Sequence, residues 1–217
     1  MTQDPEFTLI IGDKNLSSWS LRPWIALKMG GVDFAEVLIR LDRPETQAAI
    51  RQHSPSGLVP ALRHRDRLIW DSLAIIEYAH ELRPDAGLWP TDQGRRAWAR
   101  CVAAEMHGGF RDLRDALSMA FAETGLSAPV TPAVEADIAR IQALWTRALE
   151  AHGADGPFLF GPFTAADAMY APVVSRFRSY GVALSPALQR YCDAVWALPA
   201  MQDWLTGAEA ERAEDGR

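Results

Sequence analysis

The first 84 residues alternate between short apolar runs and segments in which apolar positions recur at helical spacing. The run Phe7–Ile11 is rich in β-forming residues and ends at Gly12, which is typical of a strand. Further strands are predicted within 32–41, at 59–63 and at 67–70, and helices at 20–29, 44–52 and 73–83. This order predicts a small α/β unit built on a mixed sheet.

Strand patterns end near Pro84, and only helical patterns follow. Residues 85–93 contain Gly87 and Pro90 and are interpreted as a linker. Helical periodicity then covers 95–122, interrupted only at Gly108-Gly109, and continues over 133–152, 164–180, 185–198 and 199–210. The charged residues 209–217 are expected to fray. The sequence therefore predicts an α/β domain over 1–84, a linker over 85–93 and an all-helical domain over 94–217.

Composition excludes several classes of protein. The apolar share of 48% and the charged share of 23% are usual for a soluble globular chain. No apolar run approaches the roughly 20 residues of a membrane-spanning helix, and the N-terminus lacks the features of a secretory signal. The net charge of −6 argues against a nucleic-acid partner, because phosphate binding needs clustered cations. We expect a cytoplasmic protein with no membrane or nucleic-acid partner.

Cysteine usage narrows the chemistry further. Cys101 and Cys192 are far apart and form no CxxC pair, so neither a disulfide framework nor a thiolate metal site is predicted. We expect two buried, inert thiols and no bound metal.

The segment from Asn15 to Pro23 is the first candidate for chemistry. Ser17 and Ser18 lie between the first predicted strand and the first predicted helix. A hydroxyl at that position lies beside the free N–H groups of a helix start, where a developing anion is stabilised. The alternative is that one of these serines only caps the helix, since Ser is strongly preferred there.

Two further turns are candidates for binding a ligand. Val59-Pro60 begins a predicted strand, and a cis Pro60 would turn the backbone N–H and C=O of Val59 outward to pair with a peptide-like ligand. An ordinary turn proline is the alternative. Asp71-Ser72 begins a predicted helix, where N–H groups and the Ser hydroxyl could bind a carboxylate and Asp71 an ammonium. Simple helix capping is the alternative for this pair.

Thr164 and Asp167 have a structural interpretation. Asp167 stands three residues after Thr164, which is the spacing of a reciprocal capping box. This pair predicts the start of a buried helix in the second half of the chain.

The whole chain resembles a soluble glutathione transferase, nearest to a zeta-like or related bacterial class. The resemblance rests on four segments in family-like order, SSWSLRPWIAL, SGLVPAL, WDSLAIIEYAHE and FGPFTAADAMYAPV. It implies a thioredoxin-like α/β N-terminal domain, an all-α C-terminal domain, glutathione as co-substrate, a role in detoxification and a homodimer.

The resemblance also implies roles for individual residues. Ser17, five residues before Arg22, would hydrogen-bond the glutathione sulfur and favour the thiolate, and Ser18 could share or take over this role. Val59 would pair with the cysteinyl part of glutathione beside a cis Pro60, and Asp71 with Ser72 would hold the γ-glutamyl end. The electrophile would lie near Trp19, Met106 and Phe110, with His107 and Arg111 on the same stretch.

Departures from the family pattern leave alternatives open. Trp19 stands where zeta members have Cys, and Leu58 stands where many members have Lys or Gln. Arg176 and Arg178 lie near, but out of register with, the Arg that binds a substrate carboxylate in zeta-type isomerases. A maleylacetoacetate-type isomerase and a non-catalytic glutathione-binding module therefore remain alternatives. Thiol–disulfide chemistry is not expected, because a serine cannot form the mixed disulfide.

Overall fold

A four-stranded mixed sheet forms the centre of the N-terminal half in the computed structural model, which describes residues 6–216. Its strands are β1 (Phe7–Gly12), β2 (Phe34–Ile39), β3 (Ala61–His64) and β4 (Arg67–Trp70), in the order β2-β1-β3-β4. β1 pairs with β2 in parallel and with β3 antiparallel, and β3 pairs antiparallel with β4. The predicted α/β class with a mixed sheet is confirmed.

Three helices flank this sheet: α1 (Ser18–Met29), α2 (Thr46–His53) and α3 (Ser72–Leu82). The alternation of β1 explains their placement, because Leu9 and Ile11 join the core that contains α1 and α3, while Ile10 packs with Ile50 of α2. The sheet is therefore covered on both faces.

The C-terminal half is helical within the described residues. Its helices are α4 (Gln93–Gly108), α5 (Arg111–Ala116), α6 (Pro132–His152), α7 (Ala165–Ser179), α8 (Pro186–Trp196) and α9 (Pro199–Glu214). Short 3₁₀ turns occur at Pro84–Ala86 and Gly153–Asp155.

α7 is buried along nearly its whole length and packs against α1 and α4. Most of its residues are apolar, and even its polar side chains Asp167 and Arg176 are buried, as expected of a helix enclosed by the core. The predicted capping box is present, since Asp167 Oδ2 accepts hydrogen bonds from the Thr164 N–H at 2.9 Å and from the Thr164 hydroxyl at 3.1 Å. α7 thus connects the two halves through α1.

The helix predicted to run on to residue 122 ends earlier, at Ala116. The backbone beyond it bonds elsewhere: Phe121 N–H donates to Asn15 O, and Ala122 N–H donates to Asn15 Oδ1. The carbonyl of Leu117 accepts from Arg176 Nε at 2.6 Å. These tertiary hydrogen bonds take the place of helical ones.

The expectation that residues 209–217 fray is wrong for the part that the structure describes. α9 continues to Glu214, and Glu211 is only 6% exposed. Its carboxylate accepts a hydrogen bond from the Lys14 N–H at 2.7 Å and lies 3.6 Å from Arg40 Nη1. Contacts with the N-terminal half therefore order a segment whose composition favours fraying.

The expectation of two buried thiols is half wrong. Cys192 is buried, and burial raises the pKa of its thiol to about 12. Cys101, on α4, is exposed. Between residues 6 and 216, no helix combines the length and the apolar character that crossing a bilayer requires.

Candidate functional site

The turn between β1 and α1 carries the predicted hydroxyl. Ser17 is the N-cap of α1, and its Oγ accepts a hydrogen bond from the Ser20 N–H at 3.3 Å. Its hydroxyl donates to Ser20 Oγ at 2.7 Å, and that oxygen also accepts from the Gly12 N–H at 3.0 Å. Capping is thus confirmed for Ser17, and its oxygen lies at the helix start, where negative charge is stabilised.

Ser18 is the first residue of α1 and is as buried as Ser17. Its hydroxyl makes no side-chain hydrogen bond to residues 6–216, unlike that of Ser17. Trp19 follows, half-buried, and its ring lies nearly perpendicular to the His107 ring, with the ring centroids 5.3 Å apart.

A cavity of about 330 Å³ opens beside this helix start. It is lined by residues from three segments of the N-terminal half and one of the C-terminal half: Trp19, Ser56, Leu58, Val59, Pro60, Trp70, Asp71, Ser72 and His107. The structure therefore brings together five of the predicted site residues. Ser17 and Ser18 precede Trp19 on the same turn but do not themselves line the cavity.

One wall of the cavity is the segment that enters β3. The Val59–Pro60 peptide bond is cis, as the resemblance implies, and β3 starts two residues later than the strand predicted from Val59. Leu58 is 66% exposed and Trp70 is 48% exposed, so the rim on this side is apolar.

The start of α3 forms another part of the cavity wall. Asp71 is its N-cap, and Asp71 Oδ1 accepts hydrogen bonds from the Leu73 N–H at 2.9 Å and the Ala74 N–H at 3.3 Å. Its other oxygen, Oδ2, lies 3.2 Å from His107 Nε2. The neighbouring Ser72 hydroxyl is buried and has no hydrogen-bond partner within residues 6–216. An unpartnered donor at a helix start is suited to a carboxylate ligand.

Arg22 lies deeper, fully buried on α1. Its guanidinium carbon is 4.0 Å from the centroid of the Trp19 ring, and that of Arg114 is 5.2 Å away. None of the three side-chain nitrogens of Arg22 has a hydrogen-bond partner in the described part of the chain. Burial, followed by the charges of Arg176 and Arg114, lowers the pKa of Arg22 to about 9. Arg22 therefore keeps its positive charge at neutral pH.

The sequence matches known protein families over both halves. Residues 16–82 match the family model "Glutathione S-transferase, N-terminal domain", and residues 131–194 match "Glutathione S-transferase, C-terminal domain". A maleylacetoacetate isomerase from Rattus norvegicus is 31% identical over 192 residues, which are 86% of this chain and 87% of that protein. The chain belongs to the glutathione S-transferase family.

Other relatives agree with this membership. A probable maleylacetoacetate isomerase from Caenorhabditis elegans is 34% identical over 99 residues, which span only 46% of this chain and 46% of that protein. A crystal structure of a glutathione transferase homologue from Burkholderia GL BGR1 with bound glutathione superposes with a TM-score of 0.72 at 25% identity. It covers 95% of this chain and 100% of that one, so the likeness extends over both halves.

The residues of this glutathione S-transferase that were predicted to contact the electrophile differ in whether they reach the cavity. Trp19 lines the cavity, whereas Met106 is fully buried in the core and Phe110 is nearly so. On α4, His107 lines the cavity while Met106, one residue earlier, is buried in the core. Arg111 is exposed and pairs with Asp115.

Sequence reasoning missed the pairing of His107 with Asp71 and the unpartnered state of Arg22. No local signal marks either, since both depend on the packing of the two halves. A second cavity of about 420 Å³ lies between α6 and α8, near Glu150, Arg190 and Tyr191. It contains none of the predicted residues, so the cavity at Asp71 remains the candidate site.

Proposed function

We propose that this chain is a glutathione transferase that binds glutathione in the cavity at Asp71, stabilises its thiolate and directs it at a small electrophile. The observation that carries the proposal is the meeting of the α1 start, the cis Pro60 segment and the α3 start around one cavity. Each of these elements offers a group suited to a different part of a γ-glutamyl peptide. The protein supplies orientation and charge stabilisation, while glutathione is the nucleophile.

The γ-glutamyl end would bind at the start of α3. Its carboxylate is suited to the helix N–H groups and to the unpartnered Ser72 hydroxyl, while its ammonium is suited to Asp71. The backbone of Val59, beside the cis Pro60, would pair with the cysteinyl residue. Val59, Pro60, Asp71 and Ser72 are therefore the proposed glutathione-binding residues.

The thiolate would be stabilised by a chain of hydrogen bonds. Gly12 N–H donates to Ser20 Oγ, which lies 2.7 Å from Ser17 Oγ. If the Ser20 hydroxyl turns to donate to Ser17, the Ser17 hydroxyl is released to donate to the sulfur, and each bond polarises the next. The start of α1 and the retained charge of Arg22 favour the anion as well. Each unit by which the thiol pKa falls corresponds to about 1.4 kcal/mol of preferential thiolate stabilisation.

Ser18 is the second candidate for the contact with sulfur, because its hydroxyl has no side-chain partner within residues 6–216 to give up. Trp19 and His107 would border the electrophile, in place of Met106 and Phe110. We further propose a homodimer in the cytoplasm, acting in detoxification without a metal. The relatives that carry glutathione S-transferase names support the transferase activity.

Isomerisation of maleylacetoacetate is the second candidate function, and the rat and nematode relatives favour it. Arg176 argues against it, because this side chain is buried and its Nε bonds to the Leu117 carbonyl. A direct assay with maleylacetoacetate separates the two activities. Thermal stabilisation by glutathione without turnover of any electrophile would instead support a non-catalytic binding module.

The test is a titration of the thiol pKa of bound glutathione, followed by thiolate absorbance, in wild type, Ser17→Ala and Ser18→Ala. We expect a depressed pKa in wild type and its return toward the free value in Ser17→Ala. If the thiol pKa returns toward the free value only in Ser18→Ala, the contact with the sulfur is assigned to Ser18. Binding with no depression in wild type would overturn the transferase mechanism.

A further inference from the structure

The turn that leads to Ser17 is held by the C-terminal half of the chain. Lys14 N–H donates to Glu211 Oε2 at 2.7 Å, and the Trp204 indole donates to Lys14 O at 2.7 Å. One residue later, Asn15 O accepts from the Phe121 N–H at 3.0 Å, and Asn15 Oδ1 accepts from the Ala122 N–H at 2.9 Å. All four bonds join residues more than 100 positions apart.

These bonds act on the serine through a short stretch of backbone. The N–H groups of Leu16 and Ser17 both donate to the Asp13 carbonyl, at 3.1 Å and 2.7 Å. The Asp13 carboxylate is itself fixed by the Leu41 N–H and by Arg40, 3.0 Å away. Lys14 and Asn15 lie inside the turn that these bonds close, between Asp13 and Leu16, so their anchorage sets where Ser17 begins α1.

Glu211 holds Lys14 with a carboxylate, whose burial costs free energy. Its carboxylate is nearly buried, and burial raises its pKa even though Lys14 and Arg40 lie close; Asp13 adds a like charge. Burying a charge costs free energy that a single partly formed pair does not return. An amide oxygen would accept from the Lys14 N–H as well, so the contact with Lys14 depends on where the acceptor lies and not on its charge.

We propose that Glu211 and Trp204 of α9 are positioning residues for the Ser17 hydroxyl. They hold the turn that contains Lys14, and this places the Ser17 hydroxyl within reach of the sulfur of bound glutathione. Their role is in placing this hydroxyl, in addition to stabilising the fold. The inference rests on the proposed function, because it presumes that the Ser17 turn serves the thiolate. Neither residue touches the substrate; both act through Lys14.

The sign of the pKa change distinguishes positioning from a simple charge effect. Deleting the negative charge of Glu211 would, acting through space, lower the thiol pKa of bound glutathione. Loss of position would raise that pKa instead, since the hydroxyl would no longer meet the sulfur. The two effects therefore move the same measurement in opposite directions.

The experiment compares Glu211→Ala, Glu211→Gln and the matched control Glu209→Ala, an exposed carboxylate on the same helix. We expect Glu211→Ala to raise the thiol pKa and to lower kcat with a standard electrophile by about tenfold, because small misplacements cost large factors in rate. The KM for glutathione should stay within about twofold of wild type, since the binding residues are elsewhere. Glu211→Gln should restore most of the loss, because its amide oxygen still accepts from Lys14.

Trp204→Phe provides a second route should Glu211→Ala not fold, since it removes the donor to Lys14 O and keeps an aromatic ring in the core. It is expected to raise the thiol pKa in the same direction. If wild type and Ser17→Ala behave as proposed while Glu211→Ala and Trp204→Phe match Glu209→Ala, the positioning role is overturned and the transferase stands. If wild type shows no depressed pKa, both proposals are overturned together.

Discussion

His107 Nε2, on α4 in the C-terminal half, lies 3.2 Å from Asp71 Oδ2, at the start of α3 in the N-terminal half. This pair closes one edge of the candidate cavity and spans the two halves. It also occupies the one Asp71 oxygen that does not cap α3. His107 is therefore a competitor for the position that we assign to the glutathione ammonium.

Replacing His107 by Ala should strengthen glutathione binding. The Asp71 carboxylate stays oriented by the Leu73 and Ala74 N–H groups, and the freed oxygen can accept the ammonium. Release of this one close contact predicts a KM for glutathione lower by about two- to fivefold in steady-state kinetics. His53→Ala is the control, because His53 pairs with Arg63 and does not line the cavity. A higher KM in His107→Ala would mean that His107 itself contacts the peptide.

Leu58→Lys should also strengthen glutathione binding. Leu58 is 66% exposed and lines the cavity. A cation on this rim adds one exposed ion pair with a glutathione carboxylate, which predicts a Kd lower by about two- to fivefold in calorimetry. Leu82→Lys, on an exposed part of α3 outside the cavity, should leave the Kd unchanged. Equal effects in both variants would point to a general charge effect.

The stability of the protein should depend on the protonation of Asp167. Burial raises the pKa of this carboxyl from 3.8 to about 6, so the folded state binds a proton more readily than the unfolded state between those values. Its contribution to stability is therefore present below the unfolded pKa and is lost as the pH rises through about 6. In urea unfolding experiments, the free energy of unfolding of wild type should fall as the pH rises through about 6.

Asp167→Asn should flatten that pH dependence while destabilising the fold at every pH. An amide has one acceptor oxygen for the three donors that now reach the carboxylate, from Leu159 and Thr164, and each orphaned donor costs about 1–3 kcal/mol. Asp203→Asn, on an exposed position of α9, should follow the wild-type curve. The same slope in Asp167→Asn as in wild type would rule out Asp167 as its source.

The two cysteines should differ in reactivity. Burial raises the pKa of the Cys192 thiol to about 12, whereas Cys101 is exposed. A disulfide reagent at neutral pH should therefore modify Cys101 in the native protein and Cys192 only after unfolding, because the thiolate is the reactive form. Cys101→Ser should abolish the native reaction. Modification of native Cys101→Ser would show that the core around α8 opens.

Features set by neighbouring residues were predictable from the sequence. The caps at Ser17, Asp71 and Thr164 depend on donors within three positions of each residue, and all three are present. The positions of the four strands along the chain also followed from local patterns, and β2 (Phe34–Ile39) lies within the predicted 32–41. Their order in the sheet was not predicted. Local rules suffice where a side chain and its partner share one turn.

Features set by distant residues were not predictable. The end of α5 at Ala116 depends on the chain beyond it, where Phe121 and Ala122 bond to Asn15. The order of α9 depends on Lys14 and Arg40, and the composition around Glu211 pointed to fraying instead. A single sequence contains no record of such contacts, because neither partner signals the other within one turn or strand.

The hydrogen bonds between α9 and Lys14 also bear on how members of this family can be recombined. A chimera that joins the first 84 residues of this chain to the helices of a relative keeps every strand and helix intact. It nevertheless exchanges the residues that meet Lys14 and Asn15, so a well-folded hybrid can lose turnover without any change in the residues around the ligand. Productive crossovers would need to carry α9 and the segment 117–122 together with the β1–α1 turn.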